Sequence, residues 1–336
     1  MATSKTERSK SSWKDISKQT FVETLKNECV DEELIQVVKD IGFKELTLGQ
    51  ILPELKQDKL MKLENIHYYD VKHLTEIINI LKNGSEIKRN KIFSDPIHGQ
   101  FEVHPACKII IDTPQFQRLR FLKRIGACNF VFQGALHNKF EHALGVSHLA
   151  GKFVRMLRQN QPELGITRND MLCVEIGGLC CNLGYGPFTR VYEEMYLPSL
   201  EKKSSLEKRT VEMFNELLEF EPQSHQNVLQ ILTSDFDLDD NDIQFIRELI
   251  SGQNVTGSTA WPYEGRQPYK AFLYEIVHNN RNMVDAYTWD YLARDCFYLG
   301  LKNNFDHLRY MQMARVIEVD GELQICMRDK VLINNI

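Results

Sequence analysis

An imidazole, a thiol and an amide fall where a buried reaction centre would place them. His142 shares a helical stripe with Val146, Leu149 and Phe153, so its ring points into an interior and not into water. A second stripe, Leu172, Ile176, Leu179 and Leu183, carries Cys180-Cys181-Asn182 at its end. Further on, Tyr287, Tyr291 and Asp295 recur at four-residue spacing on one helix face. As a zinc centre the local set is short, because His142 and Cys181 supply two ligands where three or four are needed. Small side chains packing near Gly177 and Gly178 account for the cysteines better than zinc or a Cys180–Cys181 redox pair does.

These residues must be held by a mainly helical frame. Met1 to Ser12 reads as a polar, disordered tail without a secretory hydrophobic segment. Residues 13–84 read as short amphipathic helices, ending in the stripe Val71, Leu74, Ile77, Ile78 and Leu81, which Gly84 stops. Ser85 to Asn90 is a charged linker, and a second domain spans residues 91–336. In it Asp95-Pro96-Ile97-His98-Gly99 predicts a turn before alternating Phe101 and Val103, and Ile109–Leu122 opens the helical core. Helical patterns follow around Val211–Leu218, Ile243–Ile250 (with Asp239 or Asp240 as N-cap), Phe272–Val277 and Trp289–Leu299. Arg315–Val319 and Glu322–Met327 flank Asp320-Gly321, which predicts a type I′ hairpin.

The 336 residues are 43% hydrophobic and 26% charged, an ordinary globular balance. A net charge of -5 gives no global attraction to nucleic acid or anionic membrane. No apolar run is long enough to span a bilayer, so no membrane partner is expected. The eight cysteines lack Cys-x-x-Cys pairing and read as reduced intracellular thiols.

The run Leu136 to His142, the run Leu179 to Arg190 and the segments Phe93–Gly99, Ile111–Leu122, Asn138–Gly145 and Trp289–Cys296 resemble the HD-domain phosphohydrolases. They are similar in particular to the branch that joins a SAM domain to an HD domain and hydrolyses deoxynucleoside triphosphates. The resemblance implies a SAM-like helical bundle over 13–84, then an all-helical HD domain with a small β-hairpin near the C-terminus. It implies that the family's C-terminal lobe is missing, as in a diverged and C-terminally short paralogue or isoform.

Carried over position by position, the resemblance makes His142 a metal ligand, with Cys181, Asn182 and Tyr287 in place of the family's His and two Asp ligands. Tyr185, Arg190 and Leu206 stand where the family has further catalytic histidines, Leu206 in place of the general acid. Lys139, Tyr291 and Asp295 match substrate-cleft residues; Thr288 and Arg124 replace two more, and Trp289 and Arg294 read equally as core and buried ion pair. A guanine-nucleotide regulatory site is implied at Lys91, Asp112, Gln117 and Arg120, where Asp suits the guanine donors and Lys and Arg suit phosphate. The other reading of Asp112 and Arg120 is a local helix salt bridge. A second nucleotide pocket would use Val131, Phe132, Asp306 and Arg309, with Ser94 in place of an Asn.

Three functions compete. The substitutions favour a degenerate relative without cofactor or hydrolase activity, binding guanine nucleotide and dNTP and assembling with itself or with an active homologue. The family favours an active dNTP triphosphohydrolase using Mg, Mn, Fe or Zn. The third, single-stranded nucleic-acid binding, rests on small basic clusters such as Lys123-Arg124. The resemblance implies an intracellular protein, in the nucleus or alternatively the cytoplasm.

Overall fold

The computed structural model describes residues 18–27, 91–188, 191–200, 205–222, 226–252 and 261–327. The chain divides into two compact units, Met1–Arg89 and Asn90–Ile336. In the first, helix α1 (Lys18–Asn27) buries Phe21 and Leu25 one turn apart. The rest of the SAM-like expectation for 13–84, and the polar tail, lie outside the described residues.

The second unit is mainly α, with two small antiparallel hairpins. The first pairs β1 (Lys91–Asp95) with β2 (Gly99–Val103), from Lys91 opposite Val103 to Asp95 opposite Gly99. Its turn is held by Asp95, whose Oδ1 accepts the amides of Ile97 (2.8 Å) and His98 (3.0 Å). The alternation of Phe101 and Val103 marks β2, but Lys91–Asp95 carries no comparable signal, so this hairpin adds to the one expected from sequence.

Helices α2 (Pro105–Ile111) and α3 (Pro114–Gln117) divide what the pattern from Ile109 to Leu122 runs together. Pro114 has no amide hydrogen to continue α2, and the Thr113 side chain caps α3 instead. The long helix α4 (Lys139–Asn160) starts at Asn138, whose side chain accepts from the Glu141 amide. Helix α5 (Arg168–Cys180) starts with a Thr167–Asp170 capping box. Around this pair lie α6 (Leu206–Glu219), α7 (Val228–Phe236), α8 (Asp240–Ser251), α9 (Ala286–Leu299) and α10 (His307–Met313). Asp239 is the N-cap of α8, as the sequence predicts. Phe272–Val277 departs from an α pattern: Pro268–Glu275 is a 3-10 segment kinked at Lys270. The last hairpin pairs β3 (Ala314–Val319) with β4 (Glu322–Met327) through Asp320 (φ 53°) and Gly321 (φ 81°), the left-handed pair a type I′ turn requires. No described helix is long and apolar enough to cross a membrane.

Two glycines set the spacing of the core. A Cβ on Gly178 of α5 would stand 3.2 Å from the Ser147 Cα and the Val146 carbonyl of α4. A Cβ on Gly145 of α4 would overlap the Asp290 carboxylate of α9. The α4 helix therefore meets α5 almost backbone to backbone, while on the α9 side Gly145 leaves room for the Asp290 and Arg294 side chains; the Ser147 hydroxyl seals the α4–α5 crossing by donating to the Glu175 carbonyl (2.8 Å). Gly178→Val should force these helices apart and cost about 1–3 kcal/mol, the usual penalty of overpacking. Urea denaturation checks this; a midpoint equal to wild type would contradict the close crossing.

Candidate functional site

Three elements deliver the candidate centre. The start of α4 presents Lys139 and His142 one turn apart, the end of α5 presents Cys181 and Asn182, and α9 presents Tyr287, Asp290, Tyr291 and Asp295. His142 is fully buried. Its Nδ1 lies 2.6 Å from Asp290 Oδ2, while the other oxygen of Asp290 meets His98 Nε2 at 2.7 Å. Arg294 donates to both oxygens of the same carboxylate (2.9 Å each) and, through Nη1, to Asp95 (2.8 Å). Burial alone would push the Asp290 carboxyl up, but the Arg294 guanidinium and the two imidazole bonds hold it well below the usual carboxylate range. Burial outweighs that carboxylate at His142 and pulls the ring down to about 3. His142 is thus neutral at pH 7, its Nδ1 proton given to Asp290. Its Nε2 is buried without a hydrogen-bond partner, which is how a protein presents an imidazole ligand.

The other three positions that the resemblance marks as ligands carry different groups. The Cys181 thiol donates to the Gly178 carbonyl (3.1 Å), and burial pushes it up to about 12. Asn182 is fully buried, with Nδ2 3.2 Å from the Cys181 sulfur and Oδ1 unpartnered. Tyr287 stacks edge-on to His142 (4.7 Å between ring centres) and shares a hydroxyl contact of 3.1 Å with Tyr185. Burial pushes the Tyr287 phenol well above its ordinary value and raises that of Tyr185. The structure therefore gathers His142, Cys181, Asn182, Tyr287 and Tyr185 around one buried point. Their donors are one imidazole, a thiol and phenols that stay protonated, and an amide. A hard divalent cation of the Mg or Mn type wants carboxylate oxygen, and this set does not fit one. No group of three His, Cys, Asp or Glu side chains gathers as a metal cluster among the described residues.

Lys139 is the least expected member. Its Nζ is buried, has no hydrogen-bond partner and sits 3.4 Å from the centre of the Tyr185 ring. Burial drives the amine well below its ordinary range. Arg190 lies outside the described residues. Leu206, the first residue of α6, brings no proton; α6 starts hard against the loop, its Leu206 carbonyl 2.9 Å from where a Cβ on Gly184 would stand. Asp295 is engaged by His137 Nε2 (2.6 Å) and more distantly by Arg124 (3.8 Å), which also lies 5.2 Å from the Tyr291 ring.

Gln117 and Arg120 are brought together, Arg120 Nε donating to Gln117 Oε1 (2.8 Å) over the face of Phe140. Asp112 pairs with Lys108, not with Arg120, so the expected alternative of an Asp112–Arg120 bridge is replaced by an ordinary i,i+4 pair. Lys91 is exposed beside Phe93. Val131 and Phe132 are 78% and 48% exposed, and Asp306 caps α10 by accepting the Arg309 amide.

Sequence reasoning missed Asp290, His98 and His137. Asp290 and Arg294 stand at i,i+4, a local signal for an ion pair, but nothing in the sequence joins that pair to His142.

No family model matches the chain. It is 42% identical over 320 residues to deoxynucleoside triphosphate triphosphohydrolase SAMHD1 of Mus musculus, covering 91% of this chain and 47% of that protein. The Homo sapiens protein of the same name is 43% identical over 301 residues (88% and 46%). The Dictyostelium discoideum homolog is 39% identical over 252 residues (74% and 44%). The chain thus spans about half the length of these relatives.

Burial holds His104 and His142 at about 3, and His148 and His278 at about 4. Each lies below the unfolded value near ~6.5, so between these limits the unfolded chain binds more protons. Stability is therefore full above about pH 6.5 and lost as pH falls toward 4, by about 1.4 kcal/mol per pH unit for each such group. Melting temperatures from pH 7.5 to 4.5 test this; a flat profile would contradict the neutral, buried imidazoles.

Proposed function

From the chain's membership of the SAMHD1 family of deoxynucleoside triphosphate triphosphohydrolases, we propose that it is a member without hydrolase activity, acting by binding nucleotide and assembling with partners. One observation carries this reading. Around His142 the ligand positions hold Cys181, Asn182 and Tyr287, and no carboxylate. Hydrolysis by such a centre depends on a cation that activates water and neutralises charge at phosphorus. His142 alone offers one buried nitrogen to hold it, and Leu206 cannot protonate a leaving group.

The chain's own residues then do something simpler. The Tyr185–Tyr287 contact and the buried Lys139 occupy the former centre, while Asp290 keeps His142 in one tautomer. On this reading the regulatory positions Lys91, Asp112, Gln117 and Arg120 keep their chemistry for a guanine nucleotide, and residues 13–84 act as a SAM-like interaction module. Mixed assembly with an active homologue would let the chain tune dNTP breakdown without performing it.

Triphosphate release from dGTP with Mn²⁺ and GTP is expected to be absent. Turnover by wild type that disappears in His142→Ala would overturn the proposal in favour of an active enzyme. Cys181→His, Asn182→Asp and Tyr287→Asp together should restore Mn²⁺ binding, because they return an imidazole and two carboxylates to the centre.

For the regulatory positions, GTP should raise the melting temperature. At a hundredfold excess over the dissociation constant the gain is about 2.7 kcal/mol. Asp112→Ala should remove the preference for guanine over adenine. No shift with millimolar GTP would count against the site.

A further inference from the structure

Arg124 stands at a cleft position of the family, and the fold lays its side chain over two of the cleft residues this chain keeps. A bridge between Lys123 and Asn138 fixes the backbone there, and the Arg124 amide donates to the His137 carbonyl (2.9 Å). From that anchor the guanidinium lies 5.2 Å from the centre of the Tyr291 ring, within cation–π reach. Its Nη2 lies 3.8 Å from Asp295 Oδ2. Tyr291 and Asp295 sit on successive turns of α9, so one cation covers both.

We infer that Arg124 is an internal occupant of the cleft, a contact that holds it closed to a deoxynucleoside triphosphate. On the family reading of Tyr291 and Asp295, on which this rests, the chain then carries two separate barriers. The exchanged ligand positions around His142 stop the chemistry, whereas Arg124 stops the substrate. A carboxylate that accepts a hydroxyl and an aromatic face that walls the ring are what a sugar needs from a protein site. Here both are taken. One Asp295 oxygen accepts from His137 Nε2 (2.6 Å), the other faces Arg124, and Arg124 also covers Tyr291.

Stability does not account for this placement. At 3.8 Å the ion pair is too long for a hydrogen bond, and the Arg124 and Asp295 side chains are 14% and 19% exposed, so it adds little to the fold. Arg124 Nε is buried without a partner, which opposes folding. The contact is nevertheless well defined from the Asp295 side. His137 is buried and stacked flat on Tyr298, 4.5 Å between ring centres at 11°, so it pins the carboxylate that Arg124 meets. What the guanidinium gains in structure is small, and what it covers is the pair of groups a sugar would use.

The test is calorimetric titration of the full 336-residue chain with dCTP, a pyrimidine nucleotide that the guanine positions should not favour. A cleft closed in about 90% of molecules or more binds at least ~10-fold more weakly than an open one, so Arg124→Gln should tighten dCTP binding by at least that factor. Adding Asp295→Ala to Arg124→Gln should remove the gain, which places it in the cleft. Should Arg124→Gln fail to fold, Asp295→Asn alone tests the same contact: it should raise the labelling of Arg124 by phenylglyoxal, read by peptide mapping. Equal dCTP affinity in wild type and Arg124→Gln, or Arg124 labelling unchanged by Asp295→Asn, would overturn the closed cleft and leave the proposed function standing. Triphosphate release from dCTP by Arg124→Gln would do the reverse, supporting the closed cleft and overturning the proposed function.

Discussion

The Asp290 carboxylate is the constraint on which the rest of this unit depends. It is wholly buried, yet it carries charge, because Arg294 clamps both oxygens and two imidazoles donate to it. Arg294 extends the clamp to Asp95, the residue that builds the turn of the first hairpin. One network therefore fastens the hairpin, the start of the long α4 helix and the α9 helix to one another. Removing one partner from such a network leaves an uncompensated buried charge, which costs about 3–5 kcal/mol, while the intact network itself adds little stability. Its effect is to fix position, and what it fixes is His142.

What surrounds the fixed imidazole is not a set of hard-cation ligands. His142 Nε2 is presented as a ligand, but the groups around it are a protonated thiol, an amide and two phenols. The amine of Lys139 lies over the Tyr185 ring instead of meeting a carboxylate. Relatives named as triphosphohydrolases share over 40% identity with this chain. The helical frame follows from that likeness; the chemistry depends on a few side chains.

Much of the frame was legible in the sequence. The inward stripe of His142, Val146, Leu149 and Phe153, the Asp239 cap and the Asp320-Gly321 hairpin are local signals, each set by spacing or by the conformations that a turn demands. The close approach at Gly177 and Gly178 could also be read. What could not be read was non-local or negative. Strand Lys91–Asp95 becomes a strand only by pairing with Gly99–Val103. Pro114 breaks a pattern whose hydrophobic period continues through it. The contacts of His142 and His98 with Asp290 span 148 and 192 residues, beyond any periodicity. Asp112 found Lys108 and not Arg120, because the helix ends between the latter two.

The central claim is that His142 is kept neutral by burial, and in one tautomer by Asp290, in a centre whose donors do not suit a hard cation. Nitrogen NMR of ¹⁵N-histidine-labelled protein, with the His142 signals assigned through His142→Gln, tests it most directly. The ring should be in the neutral Nδ1–H tautomer at pH 7, and micromolar Mn²⁺ should leave its signals unbroadened. Selective paramagnetic loss of the His142 Nε2 signal, reversed by chelator, would show a cation seated on that nitrogen and would contradict the account.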